Sequence, residues 1–247
     1  MVQYTGFLAL VEPVRWVADQ PNWVCVIGSI IAGGVALLYC LFLTYLVLKA
    51  PRGTPRMQEI SSYIQSGAAG FLKAEYLTLA GYSACAALAL GVSSVSYSDG
   101  WKVMLCFLAG GTTSATCGLI GMLIATRANV RTAAAAIDAA EGENENDHGI
   151  NAALRVAFNS GSVMGIGVCG LGLLVISLMF LAFPNFEILA GFGFGGSSIA
   201  LFARVGGGIF TKAADVGSDL VGKVEENIPE DDPRNPVCVK NMSVLIF

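Results

Sequence analysis

Five long apolar runs separated by short polar connections organise this chain, at about residues 23–48, 67–94, 101–126, 156–183 and 186–210. Crossing about 30 Å of hydrocarbon takes roughly 20 helical residues, so the pattern predicts five membrane-spanning helices. A polar, amphipathic lead from Met57 to Ser66 precedes the second. The fifth keeps a helical pattern past its apolar part, with no proline before Pro229. Residues 186–228 as one helix would be about 64 Å long, with roughly half of it beyond the hydrocarbon core. Runs two to five carry Gly, Ser and Thr throughout, as interior helices of a packed bundle do. Gly110, Ser114 and Gly118 recur every fourth residue, as do Gly161 and Gly165. Both series read as faces through which helices approach closely.

Composition agrees. The 247 residues are 55% hydrophobic and only 13% charged, with 30 glycines. Soluble domains carry about 25% charged residues, so the fold class is an all-α, polytopic transmembrane helical bundle. The net charge of −4 says nothing about nucleic acid, but no basic stripe interleaved with aromatics exists, which excludes that partner. Membrane lipid is the partner the apolar runs imply. The seven cysteines form no CxxC pair and sit mostly in apolar runs, so they read as small buried hydrophobes. His148 lies in an Asn/Glu-rich loop and is assigned no role. Residues 1–22 hold Glu12, Arg15 and Asp19 without a basic n-region, which predicts a short amphipathic extracytosolic segment rather than a signal peptide.

Charge in the connections sets an orientation. Lys49, Arg52 and Arg56 follow the first run, and Arg127, Arg131 and Arg155 lie between the third and fourth. Lys212, Lys223, Arg234 and Lys240 follow the fifth. The connections at about 95–101 and 182–187 hold no Lys or Arg. The positive-inside rule then places the N-terminus outside and the C-terminus in the cytosol.

The chemistry concentrates at Lys212-Ala-Ala-Asp215-Val-Gly-Ser-Asp219-Leu-Val-Gly-Lys223. At about 100° per residue these four charged side chains fall at roughly 0°, −60°, −20° and +20°, on one helix face. Asp215 and Asp219 can share a divalent cation and the lysines can meet an anion, which is what a magnesium-loaded phosphate compound needs. The plain alternative is an exposed helix end with an Asp219–Lys223 pair worth a few tenths of a kcal/mol. Arg204 lies eight residues earlier, about 12 Å deeper, followed by Gly206, Gly207 and Gly208. It either snorkels to the interface or faces a polar cavity, and ionisable groups inside membranes are functional by default. Gly191-Phe-Gly193-Phe-Gly195-Gly196 satisfies GxGxxG, but no strand precedes it, so it is not a dinucleotide fingerprint. Val221-Gly222-Lys223-Val224 lacks the glycine spacing and hydroxyl of a P-loop. Asn241-Met242-Ser243 is a sequon on the predicted cytosolic side, away from the glycosylation machinery.

The stretch FARVGGGIFTKAADVGSDLVGKVE from Phe202, with NIPEDDPRNP from Asn227, resembles the signature of membrane-bound, ion-translocating inorganic pyrophosphatases. MQEIS from Met57, IQSGAAGFL from Ile64, RANVRT from Arg127 and AFNSGSVMG from Ala157 agree with it. The resemblance implies hydrolysis of magnesium-pyrophosphate coupled to outward pumping of protons or sodium. It implies that Asp215, Asp219 and Glu230 hold Mg2+, that Lys212 contacts the diphosphate, and that Lys223 joins the same polar cluster. Arg204 would belong to the coupling funnel and ion gate, and K+ stays open as a second cofactor. Family members form homodimers, through an interface dominated by later spans than these five. Vacuolar, acidocalcisomal, other endomembrane and plasma membranes all fit a cytosolic substrate.

The resemblance assigns residues 23–228 to five transmembrane helices, of roughly sixteen in the family fold, and 229–236 to the start of a cytosolic catalytic loop. It ends after Pro236, where residues 237–247 (VCVKNMSVLIF) replace an aspartate-rich continuation, a divergence that looks like a frame change, a retained intron or an early stop. With no catalytic residue assigned, the expectation is that this chain alone is inactive. The alternative is a non-catalytic membrane protein that pairs with or regulates a full-length pump.

Overall fold

The computed structural model describes residues 22–93, 100–141 and 149–224, and five α-helices occupy nearly all of them. They are α1 (Asn22–Lys49), α2 (Pro55–Ser93), α3 (Gly100–Glu141), α4 (Gly149–Ala182) and α5 (Phe186–Val224). All five are long and apolar enough to cross a membrane. The segments 1–21 and 225–247, with Glu230, the tail after Pro236 and the sequon, lie outside the described residues, as does His148.

Several helices run past their apolar runs. The lead from Met57 belongs to α2 itself, and α3 continues fifteen residues beyond position 126. Charge ends the apolar run at Arg127, but Ala133–Ala136 are the strongest helix formers and carry the helix on. The breaks have local causes. Pro51 follows α1, and Gly53 takes a left-handed φ of 70°. Thr54 then caps α2, its hydroxyl accepting from the Met57 N–H at 3.4 Å, with Pro55 at the first helical position. After Pro184, Asn185 caps α5 by accepting from the Glu187 N–H at 2.9 Å.

Contacts divide the chain into two units, residues 1–200 and 201–247. In the first, α4 packs against α1 and α3, and α3 packs against α2. Cys40 and Leu43 of α1, Ile124 of α3 and Val163 of α4 form one buried cluster. Close approach depends on glycine at particular places. On α1 and α4, a Cβ at Gly33 would lie 2.9 Å from the Gly170 carbonyl oxygen. On α3 and α5, a Cβ at Gly110 would overlap the Phe192 carbonyl, and one at Gly195 the Phe107 carbonyl. Gly191 and Gly195 of GFGFGG therefore serve helix packing, whereas a Cβ at Gly193 would meet open space. Gly110 bears out its expected role, whereas a Cβ at Gly161 or Gly165 would meet open space, so those two make no close helix contact.

Hydroxyls inside the apolar stretches bond mainly to their own helices. Thr44, Thr112, Thr113, Thr126 and Ser177 each donate to the carbonyl four residues back, which satisfies them in hydrocarbon. Tyr76 instead reaches from α2 to the Ala115 carbonyl of α3, at 2.6 Å. The cysteines divide: Cys40, Cys106 and Cys117 are buried as expected, but Cys25, Cys85 and Cys169 lie on exposed positions. At most 28% of the most apolar window of any helix is buried, so the outer faces are apolar and open, as lipid contact requires.

Candidate functional site

The second unit is described through Leu201–Val224, the C-terminal half of α5. Because these residues are one continuous helix, Lys212, Asp215, Asp219 and Lys223 share a face as their spacing predicts. The Lys212 ammonium bonds the Asp215 carboxylate at 3.1 Å, one turn apart. Lys212 is 80% exposed while Asp215 is 23% exposed, so the lysine is free to swing and the carboxylate is held at the helix surface. Asp219 also lies half-buried, one turn on. An exposed pair of this kind contributes about 0.2–0.5 kcal/mol at most, so it does little for stability.

These donors suit a hard cation. Magnesium is commonly held by one or two carboxylates, with waters and substrate phosphate oxygens completing its octahedron. Asp215 and Asp219 supply that minimum, and no group of three or more His, Cys, Asp or Glu side chains gathers among the described residues. Arg204 lies about three turns nearer the start of the helix than Asp215, about 20° around it, and is exposed. Glu230 lies outside the described residues.

A sequence profile of the family described as Inorganic H+ pyrophosphatase matches residues 34–242. This chain belongs to that family. Among its relatives, the K(+)-insensitive pyrophosphate-energized proton pump of Methanosarcina mazei is 44% identical over 209 residues, which are 85% of this chain and 29% of the relative. The K(+)-insensitive pyrophosphate-energized proton pump 2 of Moorella thermoacetica is 43% identical over 219 residues, 85% of this chain and 30% of the relative. The K(+)-stimulated pyrophosphate-energized sodium pump of Thermotoga maritima is 41% identical over 215 residues, 78% of this chain and 28% of the relative. The chain thus spans about 30% of the length of these curated relatives. Family and helices together make it a multi-pass membrane protein.

Three charged residues of this pyrophosphatase-family chain gain a place that charge counting missed. Arg131, counted only as a basic loop residue, is 2% exposed. Its guanidinium donates to the Ala50 carbonyl at 3.2 Å, the Leu48 carbonyl at 3.4 Å and the Arg127 carbonyl at 2.5 Å, and so ties α3 to the last turn of α1. The Leu48 and Ala50 carbonyls, at the end of α1, have no partner within their own helix. Arg131→Met should therefore cost about 2 kcal/mol, because it leaves them unpaired while keeping the side-chain volume. Thermal unfolding in detergent reads this, with the exposed Arg127→Met expected within about 0.5 kcal/mol of the parent. Glu75 stands in the apolar stretch of α2 with a buried Oε1 that has no hydrogen-bond partner among the described residues. An acidic residue inside an apolar run was the available signal. Lys102, one residue past the connection read as free of cations, sits 5.8 Å over the Trp101 ring at the start of α3.

Proposed function

We propose that this chain forms one wall of a magnesium-pyrophosphate site in an ion-translocating pyrophosphatase. Pyrophosphate is the energy source, and a proton or sodium is the ion moved. The observation that supports this best is the single charged face of α5, carried by a stretch on which the family match also lies. Asp215 and Asp219 would hold Mg2+, which would supply charge neutralisation of phosphate oxygens. Lys212, beside Asp215, would contact the diphosphate, and Lys223 would add a second cation one turn beyond Asp219. Glu230 supplies a further carboxylate on the metal side. Arg204, about 12 Å along the helix from Lys212, lies on the path by which hydrolysis is coupled to ion movement. The face points to the cytosol in the orientation that the basic connections favour.

Two carboxylates on one helix hold a metal-phosphate complex without surrounding it. The 247-residue chain on its own is therefore expected to bind and not to turn over. Titrating pyrophosphate into the purified chain in detergent, with and without Mg2+, tests the assignment. Saturable, Mg2+-dependent heat without release of phosphate is the expected result. Equal binding without Mg2+ would overturn the carboxylate roles, and phosphate release would overturn the single-wall reading.

A further inference from the structure

Within the first unit, a cleft of about 220 Å3 opens where α1 ends, α2 begins and α3 leaves its apolar stretch. Arg52, Arg127 and Arg131 line it together with Ser61, Ser62 and Gln65, and no carboxylate does. Three like charges share this wall. Glu59, the nearest acid along α2, is turned to Arg56 at 2.7 Å, and Arg52 and Arg127 make no ion pair among the described residues. Such convergence is unfavourable unless an anion joins it, and planar guanidiniums match phosphate oxygens in pairs.

The cleft is also preorganised. Arg131 is fixed by its three backbone carbonyls. Ser61 is 5% exposed, and its Oγ accepts from the Gln65 amide at 3.0 Å, which leaves the Ser61 hydroxyl proton to donate into the cleft. A water occupies about 30 Å3, so the volume admits one phosphate group with several waters. The site lies level with the boundary between apolar and polar residues on α3, the depth of lipid phosphates, where basic pockets between transmembrane helices bind anionic headgroups.

We infer that this cleft is a phosphate-anion site, built from other residues than the charged face of α5 and filled by an anionic lipid headgroup or by free phosphate. The test uses the whole chain in uncharged detergent with EDTA present, so that metal-dependent binding at α5 is silent. Inorganic phosphate, short-chain phosphatidic acid and short-chain phosphatidylcholine are each titrated by calorimetry. Saturable binding of phosphatidic acid alone assigns a headgroup. Binding of phosphate as well, in competition, assigns the free ion too. In either case Arg52→Gln/Arg127→Gln weakens binding at least tenfold, and Lys102→Gln leaves it unchanged. Arg52→Gln alone lies in the connection outside the helices and gives the same direction if the double variant misfolds. The inference is overturned if neither anion saturates, if phosphatidylcholine binds as well as phosphatidic acid, or if the arginine variants bind as the parent does.

Discussion

Gly195→Ala is expected to open the contact between α3 and α5. The new methyl would overlap the Phe107 carbonyl oxygen and lie 2.8 Å from its carbon and 3.0 Å from the Gly111 nitrogen. All three are backbone atoms, so no rotamer change relieves them, and the helices must separate. Separation exposes Cys106 and Phe107, both at 0% exposure, and Ile199 at 3%. Overpacking typically costs 1–3 kcal/mol and more where nothing yields, so about 3 kcal/mol is expected here. For a chain of this length that lowers the thermal midpoint by on the order of 10 °C. In a background whose other six cysteines are replaced by Ala, a thiol-reactive dye followed against temperature reports the exposure of Cys106. Gly34→Ala is the control, since a Cβ there meets nothing within 4 Å and alanine is the better helix former. A Gly195→Ala midpoint equal to that of Gly34→Ala would contradict the close contact.

Asp215→Asn with Asp219→Asn is expected to remove Mg2+-dependent pyrophosphate binding. Asparagine keeps the shape and the helix but carries no charge for a hard cation. Losing each carboxylate should weaken binding by roughly tenfold or more, since 1.4 kcal/mol is a factor of ten. The two share one ion, so their effects are not independent. Stability should hardly change, because the Lys212–Asp215 pair is exposed on the lysine side and contributes little. Binding lost with the fold intact separates a ligand-holding face from a solvated helix end. If the double variant bound as the parent does, the plain alternative would stand.

Much of this architecture was legible in the amino-acid pattern, because one physical requirement dominates. A helix crossing hydrocarbon needs about 20 apolar residues, and five such runs gave five helices. The charged face of α5 was legible for a similar reason, since spacing along a continuous helix fixes azimuth. Partners across helices were not. Gly161 and Gly165 have the same four-residue spacing as Gly191 and Gly195, yet only the latter meet another backbone. Spacing shows that a small face exists and not whether a neighbour uses it. Arg131 resembled any interfacial arginine until Leu48 and Ala50, some eighty residues away, came within reach of its guanidinium. Helix ends were displaced because charge stops an apolar run whereas glycine, proline and caps stop a helix, as Arg127 and Gly53 show on α3 and before α2.

The most direct test of the central claim places this chain's residues in a pump. Residues 34–224 would replace the matching segment of the Methanosarcina mazei relative, and pyrophosphate-driven proton uptake would be recorded in proteoliposomes. The account predicts uptake in the parent chimera and none above background in the Asp215→Asn/Asp219→Asn chimera, with both inserted to equal amounts. Undiminished uptake by the aspartate variant would contradict it.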